Sequence, residues 1–105
     1  MTAMQTHARA KLEILVEAPI VRRISDLLTG QGVRNITILP VVAGTDASGD
    51  WAEIGVTDAF ERRLLVCVCA EAVADSVMDR LAEVFARYPG AVYRSQVQVM
   101  RSERF

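Results

Sequence analysis

The sequence predicts an α+β domain with the element order β-α-β-β-α-β. Three observations carry this. Apolar residues alternate with polar ones near both ends of the chain, two stretches repeat apolar residues at helical spacing, and one wholly apolar run lies between them. At 105 residues the chain is one domain with a thin core.

The elements follow in order. Lys11 to Glu17 alternates Leu12, Ile14 and Val16 with charged or exposed positions and reads as a strand. Pro19 marks a helix start. Ile20, Val21, Ile24, Leu27 and Leu28 then recur at helical spacing opposite Arg22, Arg23 and Asp26, and Gly30 and Gly32 end that helix. Val33 to Val42 is β-rich, and Pro40, which has no N–H to give a ladder, assigns it to an edge or a bulge. Ala43 to Asp58 is rich in Gly, Ser and Asp and reads as a long loop. Arg62 to Ala70 is an apolar strand expected at the sheet centre. Glu71 to Tyr88 forms a second amphipathic helix with Val73, Val77, Leu81, Val84 and Phe85 inward, closed by Pro89-Gly90. Val92 to Arg101 is the last strand. Val97 and Val99 there alternate with Gln96 and Gln98, giving one apolar face and one polar, uncharged face.

Two crossovers of this order interleave into one antiparallel sheet with both helices on one face, the ferredoxin-like arrangement. The other sheet face, supplied by Leu15, Thr37, Leu39 and alternate residues of the third strand, is left bare. A partly apolar bare face predicts self-association, as does a mean hydropathy of +0.23 with 51% hydrophobic residues.

The composition excludes several functions. Net charge is −1 with the signs interspersed, so the basic stripe of a nucleic-acid binder is missing. No apolar run has the length of a membrane span. Met1 to Ala10 is polar and reads as a loose tail without a secretory signal. Cys67 and Cys69 lie two apart on one strand, too near for an ordinary disulfide, and read as buried thiols of a cytosolic protein. His7 is the only histidine, which leaves no metal ligand set and no Ser-His-Asp or Cys-His arrangement. There is no phosphate-loop or dinucleotide fingerprint, and Glu13 and Glu17 read as a solvated edge pair. Binding is favoured over catalysis.

Three places suit a ligand. Ala43-Gly44-Thr45 at the loop base lets backbone N–H groups approach an anion or a base edge, or is an ordinary turn. Gly90, in Tyr88-Pro89-Gly90-Ala91, can offer its N–H to phosphate, or serves as a helix cap. Arg101 and Arg104 at the C-terminus suit bidentate phosphate recognition, or form a solvated tail.

Two segments carry a family resemblance. Leu27 to Gly44, L-L-T-G-Q-G-V-R-N-I-T-I-L-P-V-V-A-G, looks like the helix-turn-strand run of PII signalling proteins. Gly32, Ile36 and Thr37 match, while Arg34 and Asn35 stand where Thr and Gly are common. Phe85 to Met100, F-A-R-Y-P-G-A-V-Y-R-S-Q-V-Q-V-M, resembles the PII-like branch linked to inorganic-carbon uptake, which includes the carboxysome-associated and bicarbonate-transporter-associated proteins. The likeness runs from about Lys11 to Arg101, between an N-terminal tail at 1–10 and a C-terminal tail at 102–105.

The resemblance implies a cytoplasmic homotrimer that is not an enzyme, with an adenine nucleotide in each cleft between subunits. Adenine would sit near Asn35, Ile36 and Thr37 of one subunit, with Ala43, Gly44 and Thr45 on the neighbouring side. Gly90, Arg101 and Arg104 would meet phosphate. Residues 46–58 would be a flexible T-loop that reports ligand state to a membrane transporter or carboxysome-related partner. The short Tyr88-Pro89-Gly90 favours ADP, AMP or a cyclic nucleotide over ATP, and bicarbonate is the implied second ligand. No tyrosine lies between Ala43 and Arg63, which excludes uridylylation of the enteric type. Two alternatives share the fold: a copper-tolerance-like structural or metal-binding trimer, and a nitrogen-linked PII-like regulator. A small ferredoxin-like lyase ranks last, for want of an acid-base pair.

Overall fold

The computed structural model describes residues 5–46, 49–52 and 61–105. Strand β1 (His7–Glu17) leads through a 3-10 turn (Ala18–Ile20) into helix α1 (Val21–Gly30). Strands β2 (Thr37–Val41), β3 (Ala43–Asp46), β4 (Gly49–Ala52) and β5 (Arg62–Cys69) follow, then helix α2 (Glu71–Phe85), strand β6 (Gly90–Val99) and a final 3-10 turn (Ser102–Arg104).

Four strands make one sheet in the order β2-β5-β1-β6, all neighbours antiparallel. The ferredoxin-like arrangement is therefore present. β5 lies inside the sheet, as its apolar run requires, and β2 lies at an edge, where Pro40 opposite Arg63 costs no outer hydrogen bond. On β1, Ala10, Leu12, Ile14 and Val16 are buried beneath the helices together with Leu65, Cys67 and Cys69 of β5. Ile24 and Leu28 of α1 and Ala74, Val77 and Leu81 of α2 close the core from above. Val73, Val84 and Phe85 pack at its margin.

The helix ends follow from local chemistry. Pro19 sits in the first turn, where its missing N–H costs nothing. At the other end of α1 the Val33 N–H bonds the Leu28 carbonyl at 3.0 Å, and Gly32 takes φ 101°, a left-handed conformation that glycine adopts without strain. Arg94 of β6 fastens the N-terminus of α2. Its guanidinium bonds Glu71 at 2.5 Å and Asp75 at 2.7 Å, and these two hydrogen bonds raise its pKa further. Arg23 of α1 lies over the Tyr88 ring, 5.3 Å from its centroid.

The two cysteines are free and buried on the helix-covered face. Burial pushes the Cys67 thiol up to about 12, with Cys69 beside it adding to the effect. Burial also raises Cys69. Both thiols are protonated and inert at neutral pH.

Four expectations need correction. β1 begins at His7, not Lys11, because His7 to Ala10 pair with Val99 to Gln96 of β6; residues 7–10 are therefore sheet, not tail. β2 begins at Thr37, not Val33, because Val33 turns into the core, where it is 5% exposed. The loop expected over 43–58 contains a two-stranded hairpin, with Ala43 opposite Ala52 and Asp46 opposite Gly49. The segment expected to be flexible, 46–58, otherwise falls on residues 47–48 and 53–58, which lie outside the described residues. Residues 102–105 are not a free tail: the turn there is bonded to the body of the domain through Arg34 and Asn35.

The bare face is as expected. Cross-strand partners share a face, so Leu15 stands beside Leu64, Leu64 beside Leu39, and Val66 beside Thr37. Leu39 is 40% and Tyr93 58% exposed there. Val97 joins this open face opposite Arg9, whereas Gln96 lies opposite Ala10 on the helix side. Gln96 and Gln98 thus share the helix side of β6 with Arg94, so this face is polar but carries a charge.

Candidate functional site

The nine candidate residues fall at the two ends of the sheet. One end holds the start of β6, where Gly90 pairs with Val16, which pairs in turn with Arg63, which pairs with Pro40. The chain leaves β2 at this end and enters the hairpin bearing Ala43, Gly44 and Thr45. The opposite end holds Asn35, Ile36 and Thr37, with Arg101 leading into the turn that carries Arg104. Along β5, Arg63 and Val68 mark the two ends, about 17 Å apart at ~3.3 Å per residue. One chain therefore carries two half-sets and does not close them on each other.

Each half has its own local cause. Ala43 and Thr45 are exposed and carry small side chains, so the backbone of β3 is approachable. Gly90 has a packing reason besides any ligand. A Cβ there would meet the Phe85 ring, 2.9 Å from Cδ1 and closer still to Cε1. Phe85 packs against the core, so the ring has little room to yield. Gly90→Ala should lower the stability of the ligand-free protein by about 1–2 kcal/mol, measured by urea unfolding. Unchanged stability would leave the glycine with only a ligand to explain it.

At the other end, Ile36 is packed against the core, and Thr37 is exposed on the open face. The Asn35 amide is engaged with the Val68 backbone and the Arg104 carbonyl. Arg34 donates to the Glu103 carbonyl at 3.0 Å. The roles of Arg34 and Glu103 are not visible in the sequence as a motif. The available signal is that Arg34 and Asn35 stand where Thr and Gly are common in PII proteins. Among the described residues no three His, Cys, Asp or Glu side chains gather to hold a metal ion, and no helix is long and apolar enough to cross a membrane.

An open-faced ferredoxin-like sheet with a hairpin at one end and an arginine-bearing C-terminal turn at the other defines the class: a ferredoxin-like α+β domain with its candidate site split between the sheet ends. The chain belongs to the P-II family, since the family model described as nitrogen regulatory protein P-II matches residues 9–104. No curated protein matches the sequence. Among solved structures, the PII-like protein CPII of Thiomonas intermedia K12, bound to ADP, AMP and bicarbonate, aligns with a TM-score of 0.89 at 22% identity, covering 98% of each chain. The PII-like signalling protein of Thermus thermophilus aligns with a TM-score of 0.84 at 23% identity, over 97% of this chain and 99% of its own. The GlnK–ATP complex of B. subtilis aligns less closely, with a TM-score of 0.61 at 17% identity, over 86% of this chain and 82% of its own.

Proposed function

We propose that this protein is a non-catalytic PII-like signalling protein of the inorganic-carbon-linked branch. It works in the cytoplasm as a homotrimer and binds ADP or AMP in the clefts between subunits. Bicarbonate is its second ligand. Residues 46–58 carry the ligand state to a transporter or carboxysome-related partner.

The observation that carries this reading is the division of the candidate residues between opposite ends of one sheet. Two half-sets about 17 Å apart suit a cleft in which one subunit gives Asn35, Ile36, Thr37, Arg101 and Arg104, and its neighbour gives Ala43, Gly44, Thr45 and Gly90. The open apolar face, with Leu39 and Tyr93 exposed, supports the assembly that brings neighbours together. The choice of ligand is supported by the closer likeness to CPII, which is described with ADP, AMP and bicarbonate, than to GlnK with ATP. It is also supported by the short Tyr88-Pro89-Gly90 connection, since fewer backbone N–H groups are available to a third phosphate.

Calorimetric titration with AMP, ADP, ATP and cyclic AMP, each with and without bicarbonate, tests the reading. The expected result is binding of ADP or AMP more tightly than ATP, strengthened by bicarbonate. Binding of none of them would overturn it.

A further inference from the structure

Asn35 stands just where β2 has lost its ladder. Thr37 pairs with Val66, so the same register continued places Asn35 opposite Val68, yet residues 33–36 make no strand. The side chain takes over from the backbone. Asn35 Nδ2 donates to the Val68 carbonyl at 3.0 Å, and Asn35 Oδ1 accepts from the Val68 N–H at 3.4 Å. A strand residue would exchange the same two bonds with its main chain. Because Val68 offers one donor and one acceptor, only one orientation of the amide satisfies both.

The same Nδ2 also donates to the Arg104 carbonyl at 3.4 Å. Beside it Arg34 Nη1 donates to the Glu103 carbonyl at 3.0 Å. The turn is closed internally by Arg104 N–H to the Arg101 carbonyl at 3.0 Å and Phe105 N–H to the Ser102 carbonyl at 3.1 Å. One carboxamide thus ties an interior strand to the segment that bears both C-terminal arginines.

We propose that Asn35 is a positioning residue: its carboxamide clamps the C-terminal turn to the stretch of β5 that β2 leaves uncovered, and so sets Arg101 and Arg104 at the nucleotide cleft. The ligand half of this inference rests on the nucleotide-binding reading above; the clamp itself does not. The side-chain chemistry is restrictive. Aspartate has the same shape but only accepts, and would face the carbonyls of Val68 and Arg104 without a proton to give either. Serine is too short to reach both.

The test compares the wild-type protein with Asn35→Asp, Asn35→Ala and a chain ending at Arg101. In the nucleotide-free protein, amide exchange at Arg104 and Phe105 should rise in both Asn35 variants, and at Val68 in Asn35→Ala, which alone removes the acceptor of its N–H, while exchange in the core of β1 stays slow. ADP affinity should fall about tenfold in Asn35→Asp, the loss of roughly two hydrogen bonds. Introduced into the chain ending at Arg101, the same substitution should cost less than about twofold, because the clamp then has nothing to hold. Unchanged exchange at Arg104 and Phe105 would overturn the clamp whether or not nucleotide binds. An equal affinity loss in the full and shortened chains would overturn the positioning role, since Asn35 would then act on the nucleotide directly and not through the C-terminal turn. If the wild-type protein binds no nucleotide, the nucleotide reading falls, and faster or unchanged exchange still upholds or overturns the clamp.

Discussion

Alanine in place of Arg101 should weaken ADP binding by roughly ten- to a hundredfold, the range for losing charge-assisted hydrogen bonds to a phosphate. Arg101 is exposed, and its carbonyl accepts the Arg104 N–H that closes the C-terminal turn. That backbone bond survives the substitution, so the turn should persist while the guanidinium is lost. Adenosine, which has no phosphate, provides the control. Its affinity should change little in Arg101→Ala when both ligands are titrated calorimetrically. Equal losses for ADP and adenosine would mean that the variant damages the cleft as a whole. No loss for ADP would remove Arg101 from the site.

Ile14→Ala should destabilise the fold by about 2–5 kcal/mol, a large share of the total for a domain of this size. Ile14 is fully buried on β1, with Leu65 of β5 on one side and Val92 of β6 on the other. Removing its branched side chain leaves a cavity at the junction of three strands. Leu15, one residue on, points to the open face and is only half-buried. Leu15→Ala should therefore cost the isolated subunit much less. Urea unfolding at a protein concentration that keeps the subunit isolated would separate the two. Similar losses at both positions would contradict the assignment of faces.

Much of this architecture was legible in the residues. Leu12, Ile14 and Val16 alternate cleanly because one side of β1 lies under helices and the other does not. The run from Leu64 to Cys69 has no such alternation, and it became an interior strand. Signals failed where the backbone alone makes the structure. His7 to Arg9 carry no apolar alternation, because that end of β1 pairs with β6 outside the core that begins at Ala10. The Gly- and Asp-containing residues of β3 and β4 read as loop, because a short hairpin outside the core needs no apolar face. Asn35 was legible as a candidate but not in its observed engagement, since a side chain standing in for a strand leaves no periodic mark. The division of the candidate site was visible only through family resemblance. Which end of one subunit meets which end of the next is a property of the assembly, and the spacing along one chain does not encode it.

Amide hydrogen exchange of the wild-type protein with and without saturating ADP is the most direct test of the nucleotide cleft shared between subunits. The account predicts protection at both ends of the sheet at once: residues 34–37 and 101–105 at one, and 43–45 with Gly90 at the other. Protection at one end only, or at neither, would contradict it.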